Sequence, residues 1–299
     1  MDWLLFSKGI LIAMFSYLEV LVKQFIPKKK KSLGGEIVLI TGAAHGLGKG
    51  IASAFSKHQC QLVLWDINKQ GVEETAEECR KLGAFVHSYV VDCGKREDIY
   101  RTADKMKKDI GDITILVNNA GVITIGGLLS IKDEDIQNMF EVNVLAHHWT
   151  VKAFLPAMIA KNYGHIVTIA SVSGWVGAPF MVTYSASKSG CISFHQTLKE
   201  ELHLLGKDGI KTTCLCPYWI DTGFTKDIIT KVLPLLDTEY TVNKLMEGIL
   251  TNQEMIVLPA EANVMAKLSS LLPGRVPRFA TKIERTVIDR YKNQCQSCK

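Results

Sequence analysis

The chain has 299 residues, 47% of them hydrophobic and 22% charged, which excludes a disordered polymer and suits one large globular domain or two small ones. It is long enough to bury a sizeable core. The net charge of +5 is modest and uneven, concentrated in Lys28–Lys31 and a basic C-terminal tail, and nothing in it calls for a nucleic-acid partner. Cys60, Cys79, Cys93, Cys191, Cys214, Cys216, Cys295 and Cys298 lack the compact spacing of a disulfide framework, so they read as reduced thiols of a cytosol-facing domain. Cys295 and Cys298 form a lone CxxC with no second pair and no nearby histidine, and no metal is expected.

The first 31 residues pose a membrane question. Trp3 to Ile26 is strongly apolar but interrupted by Lys8, Glu19 and Lys23, leaving an unbroken run of only ten residues from Gly9 to Leu18. A full span needs about 20 predominantly apolar residues. The preferred reading is a monotopic anchor in one leaflet, with Lys28–Lys31 against anionic headgroups and the following domain cytoplasmic. A cleaved signal peptide is disfavoured, because the positive charge follows the apolar run and no small-residue cleavage site is evident; a span with Lys8 at one surface, and a hydrophobic helix packed on the core, are the other readings.

After the linker Ser32–Gly35, residues 32–260 read as one globular domain. Glu36–Thr41 is a short apolar run bounded by glycines, the pattern of a buried strand. It runs into Thr41, Gly42, Gly46 and Gly48, spaced T-G-x3-G-x-G. Glycines at this place allow a tight turn and close backbone approach, and the helix that follows attracts a pyrophosphate. The next strand, Gln61–Trp65, ends at Asp66, where an acidic residue would hydrogen-bond the ribose hydroxyls and repel a 2′-phosphate. That favours NAD over NADP; capping of the following helix is the competing explanation. Helix Lys69–Leu82 and strand Ala84–Val91 lead to Asp92, suited equally to the adenine and to a cap.

Helix Arg96–Ile110 and strand Ile113–Val117 come next, then Asn118-Asn119-Ala120-Gly121, whose amides could hold adjacent strands together. A long helical stretch runs from Asp133 past Asn143 to about Ala160. An asparagine inside it is costly unless its amide is satisfied. His147 and His148 read as packing or surface residues. Strand His165–Ala170 delivers Ser171 to the sheet edge where ligands bind, thirteen residues before Tyr184. Tyr184 and Lys188 stand one helical turn apart on the same face. A free phenol titrates near pH 10 and is a poor base at neutral pH, but a nearby ammonium favours the phenolate. Strands Lys211–Cys216 and Met255–Leu258 complete an alternation of helices and strands, and hence a doubly wound parallel-sheet Rossmann fold of the α/β class. Trp175, Phe180, Met181, Tyr218, Trp219 and Phe224 surround the expected mouth, either as an apolar pocket or as core. Residues 261–299 carry eight Lys/Arg against three Asp/Glu, and Ala262–Leu272 is amphipathic. This segment reads as a second membrane contact or a solvated tail.

TGAAHGLG, NNAG, Asn143, Ser171 and YSASK, in this order over Glu36–Leu258, resemble the short-chain dehydrogenase/reductase family. The basic anchor segment, LVLWDIN and TTCLCP look like its membrane-associated 17-beta-hydroxysteroid dehydrogenases and epidermal retinol dehydrogenases. The resemblance implies Tyr184 as base, Lys188 tuning it and holding the nicotinamide ribose, Ser171 orienting the substrate oxygen, and Asn143 positioning a relay water. It adds Leu47, Asn119 and Thr222 to the cofactor contacts expected of Thr41, Gly42, Gly46, Gly48, Asp66 and Asp92. One departure is Tyr218, where the family turn usually has glycine. The implied function is NAD-dependent interconversion of a lipophilic primary or secondary alcohol, such as a steroid 17-beta-hydroxyl or retinol, with its carbonyl. A homodimer at the endoplasmic reticulum membrane and lipid-droplet surface is the expected assembly and place. An NADPH-dependent lipid ketoreductase is disfavoured by Asp66, and a catalytically weak lipid-droplet scaffold by the intact Asn143, Ser171, Tyr184 and Lys188.

Overall fold

The computed structural model describes residues 29–225 and 233–269, with backbone alone at 224 and 265–269, and residues 3, 7–12, 14, 15 and 18 of the N-terminal segment. The chain divides into two compact units, Met1–Lys31 and Ser32–Lys299. In the first, residues 7–12 are helical, and Trp3, Ile10, Leu11, Ile12, Met14, Phe15 and Leu18 are exposed. Among the described residues, no helix is long and apolar enough to cross a membrane.

The second unit is built on seven parallel strands, β1 (Ile37–Thr41), β2 (Gln61–Asp66), β3 (Phe85–Val90), β4 (Ile115–Asn118), β5 (Gly164–Ile169), β6 (Ile210–Pro217) and β7 (Met255–Leu258). Their order is β3-β2-β1-β4-β5-β6-β7, so the winding reverses between β1 and β4. That reversal opens a crevice at the C-terminal strand ends, where open α/β sheets bind ligands. The continuous apolar runs reflect burial on both faces. Val38, Ile40, Leu62, Leu64, Ile115 and Val117 belong to one core cluster, while Leu39, Val63, Trp65 and Leu116 belong to the other. The two-residue period of a strand thus deals alternate side chains to opposite layers. Truncating Leu39 or Ile40, each fully buried, would cost about 2–5 kcal/mol.

The helices are α1 (Gly46–Phe55), α2 (Lys69–Lys81), α3 (Arg96–Asp109), α4 (Asp133–Phe140), α5 (Ala146–Lys161), α6 (Val182–Leu204), α7 (Thr238–Leu250) and α8 (Ala260–Ser269). The long helix expected from Asp133 to Ala160 is interrupted: a wide π turn, Glu141–Leu145, separates α4 from α5. Its central residue is Asn143, fully buried. Such turns are frequent at functional sites. Residues 270–272 of the expected amphipathic segment, Cys295, Cys298 and the basic tail beyond them lie outside the described residues. The six described cysteines are free and buried.

Candidate active site

At the β1 end of the crevice, the contacts are made by backbone and by the absence of side chains. Thr41 Oγ1 accepts from the amides of Asn119 and Ala120 at 3.0 Å each. The Asn119 side chain donates to the carbonyls of Thr41 at 2.9 Å and Gly42 at 3.0 Å. Asn119 therefore braces the end of β4 against the glycine loop, as its amide suggested. Gly42 has φ +67°, and a Cβ there would stand 2.8 Å from Ala120 Cα. A Cβ on Gly48 would stand 2.0 Å from the Gly42 carbonyl oxygen. Only glycine fits, and the loop leaves a cradle above the first turn of α1. That turn holds no acidic residue, so nothing offsets the positive end of the helix. Gly46 lies beside Thr222, whose Cβ would be 3.5 Å from a Cβ added to it. Leu47 packs its side chain on the core and offers the cradle only its amide. These features fit a dinucleotide pyrophosphate.

Asp66 is buried at the end of β2, where Oδ2 accepts from Ala44 N and Oδ1 from Asn68 N, both at 2.9 Å. Each oxygen keeps a lone pair for a further donor. The cap of α2 is Asn68, which accepts from Gly71 N at 3.1 Å, so capping does not account for Asp66. Asp92 instead closes a turn, accepting from Gly94 N at 3.0 Å and pairing with Lys95 at 3.4 Å.

On the other side of the switch point, side-chain atoms carry the arrangement. Lys188 is buried on α6 and donates to Ile169 O at 2.9 Å, leaving two N–H bonds. No carboxylate pairs with it among the described residues. Its Nζ lies 5.8 Å from the ring centroid of Tyr184, one turn earlier. Tyr184 is half-buried, and its hydroxyl has no hydrogen-bond partner among the described residues. A Cβ on Gly121 would approach Asn143 Oδ1 to 3.3 Å and Lys188 Nζ to 3.6 Å, so the glycine brings the loop after β4 against this pair.

The Asn143 amide is satisfied within the protein. Its Oδ1 accepts from Val122 N at 2.8 Å, and its Nδ2 donates to Val122 O at 2.9 Å and Ser187 Oγ at 3.0 Å. Both amide hydrogens are spent, so a water there would meet an oxygen. The π turn aims Asn143 at this loop, and Ser187, inside the YSASK stretch, is a partner that sequence reasoning missed. Ser171 ends β5 and caps a short turn, Val172–Gly174. Its Oγ donates to Pro217 O at 3.4 Å and accepts from Ser173 N at 3.2 Å and Ser173 Oγ at 3.0 Å.

Behind Lys188 lies His147 on α5, buried, with both ring nitrogens unpartnered among the described residues. Burial first, then the Lys188 charge and His148, hold its pKa down at about 3, so the imidazole is neutral. Around the mouth, Trp175 is exposed and Tyr218 packs partly on the core, while Met181 is buried and serves as core. Tyr218 N donates to Leu258 O at 2.7 Å, which ties the turn after β6 to β7. The Phe224 side chain lies outside the described residues.

A family model for short chain dehydrogenases matches residues 36–232. Human 17-beta-hydroxysteroid dehydrogenase 13 is 53% identical over 270 residues, 90% of each chain. Human estradiol 17-beta-dehydrogenase 11 is 55% identical over 258 residues, 86% of each chain. A short-chain dehydrogenase/reductase from Burkholderia phymatum, solved with NAD, matches with a TM-score of 0.74 at 25% identity over 81% of this chain and 95% of its own. A Sphingobium yanoikuyae short-chain dehydrogenase, solved with NADPH, matches with a TM-score of 0.70 at 26% identity over 82% and 95%. Glycine cradle, Ser-Tyr-Lys-Asn arrangement and matched model agree: this chain belongs to the short-chain dehydrogenase family.

Proposed function

We propose that the chain interconverts a lipophilic alcohol and its carbonyl using NAD(H), with Tyr184 as the proton-transferring group. The observation that carries this reading is the buried Lys188 ammonium, unpaired by any described carboxylate and set against the Tyr184 ring. An unpaired buried charge is costly, and this one faces the ring that carries the phenolic hydroxyl. In oxidation, Tyr184 takes the hydroxyl proton of the substrate at its phenolic oxygen, and Ser171 hydrogen-bonds the same substrate atom. The nicotinamide, when bound, supplies the hydride acceptor. Asn143 keeps the loop after β4 in register with Lys188, whose remaining N–H bonds serve the phenolate and the ribose.

The hydroxysteroid dehydrogenase relatives and the apolar mouth support a lipophilic alcohol, with steroid, retinoid and fatty alcohols as the candidate classes. Since solved neighbours carry either NAD or NADPH, the preference for NAD rests on Asp66, a buried carboxylate with lone pairs to spare at the end of β2. The exposed apolar side chains of the first unit support its reading as a membrane anchor.

The test is the purified protein with NAD⁺ or NADP⁺ and a panel of steroid, retinoid and fatty alcohols, followed by absorbance of the reduced cofactor. Turnover of at least one class, faster with NAD⁺, is expected. Asp66→Ala should then narrow or reverse the cofactor preference in kcat/KM. Failure on every class would remove the catalytic reading, and an unchanged preference in Asp66→Ala would remove the assignment of NAD.

A further inference from the structure

We propose that Ser173 is a positioning residue that commits the Ser171 hydroxyl to donating its hydrogen to the substrate oxygen. The inference deepens the reading above and rests on Ser171 meeting that oxygen. A serine hydroxyl has one hydrogen and two acceptor lone pairs, and it rotates to suit its neighbours. Left alone, it can accept from an alcohol as readily as donate to one.

At Ser171 that freedom is removed from one side. Its Oγ receives Ser173 N–H at 3.2 Å and Ser173 O–H at 3.0 Å, so both acceptor positions are filled by one neighbour two residues on. The short turn Val172–Gly174, capped by Ser171 itself, folds the chain so that both groups of Ser173 face back. What remains is the hydrogen. It points at Pro217 O across 3.4 Å, longer than the 2.5–3.0 Å usual for O–H···O bonds. A bond this long is readily exchanged for a substrate oxygen.

The chemistry requires a donor at this place. As Tyr184 removes the alcohol proton, the substrate oxygen gains charge and then carbonyl character, and a hydrogen bond donated to it strengthens. If Ser171 accepted instead, it would draw the alcohol proton toward itself and away from Tyr184. Filling the Ser171 lone pairs closes that orientation. The Ser173 amide holds one of them in any variant, so its hydroxyl decides the second.

The experiment is a double-mutant cycle in the full chain with NAD⁺ and an alcohol it turns over. It comprises wild type, Ser171→Ala, Ser173→Ala and the double variant, with Ser173→Thr as the form that keeps the hydroxyl. Ser173→Ala should lower kcat about threefold to tenfold, the range of one neutral hydrogen bond, with KM and NAD⁺ affinity unchanged. Ser173→Thr should restore most of it. In the Ser171→Ala background, removing the Ser173 hydroxyl should have no further effect, because its route of action is gone. An equal loss in both backgrounds, or a Ser173→Ala variant with full kcat, overturns the inference while leaving the active-site reading standing. A Ser171→Ala variant with full kcat overturns that reading, and this inference with it. Thermal melts of all five proteins separate these effects from loss of the fold.

Discussion

The two sides of the switch point are built on opposite principles. Between β1 and β2 the crevice is shaped by what is missing: Gly42 and Gly48 admit no Cβ, and the polar side chains there, Thr41, Asn119 and Asp66, are bonded to backbone. Between β5 and α6 the working parts are side-chain atoms held in reserve: the Tyr184 hydroxyl, two N–H bonds of Lys188 and the weakly held hydrogen of Ser171. The first side is broken by adding atoms and the second by removing them. A surface meant for a large, invariant ligand can be a mould, whereas one meant for proton transfer needs groups with unspent valence.

Tyr184→Phe is the sharpest test, since it deletes one oxygen and keeps the ring against Lys188. Turnover of a competent alcohol should fall about 10²- to 10⁴-fold, with the fold and NAD⁺ affinity retained in melting and binding measurements. Near-normal turnover would dissolve the contrast. Gly48→Ala makes the opposite change and adds one carbon, 2.0 Å from the Gly42 carbonyl oxygen. The loop must move, and a displacement of about 1 Å can cost on the order of 10²-fold in kcat/KM. The loss should appear mainly as weakened cofactor binding in titrations. Intact affinity would show that the mould is softer than its geometry implies.

The smallest effect concerns stability. Burial holds the pKa of His147 at about 3 and that of His195 at about 4, against an ordinary 6.5. Below pH 6.5 the unfolded chain binds protons that the folded chain refuses, so stability is full above that pH and declines as the pH falls toward 4 and then 3. Each histidine contributes up to about 1.4 kcal/mol per pH unit across its window. Urea unfolding at pH 7, 6 and 5 should show the decline, and His147→Gln should make it shallower. An unchanged slope in that variant would mean that His147 titrates normally, and that the ground behind Lys188 is wetter than its burial indicates.

Much of the fold was legible because buried parallel strands are short apolar runs between glycines; Met255–Leu258 matches to the residue and the other strands closely. The break at Glu141–Leu145 was not legible, since an apolar helical pattern continues across it and an extra residue per turn leaves no mark in composition. Tyr184 and Lys188 one turn apart were a weak signal by spacing; it was the resemblance to a family's ordered motifs that joined Ser171 and Asn143 to them. Their supports were hidden: Val122 and Ile169 act through backbone atoms, which no side-chain pattern reports. Ser173 was hidden differently, because a second serine in a loop looks like solvent-facing chain until its distance to Ser171 is known. Asp66 was readable as a residue at a strand end, but only the structure separates it from the cap made by Asn68.

The π turn around Asn143 bears on how this chain can vary over descent. One residue in an α-helix rotates everything beyond it by about 100°. Deleting a single residue from Glu141–Leu145 would regularise the helix while turning Asn143 away from Val122 or α5 away from the sheet. The segment is therefore more tolerant of a changed letter than of a changed count. A lineage in which this stretch shortens by one would keep its helices and lose the tie between the loop and Lys188, so gaps falling here mark descendants that have left the chemistry behind.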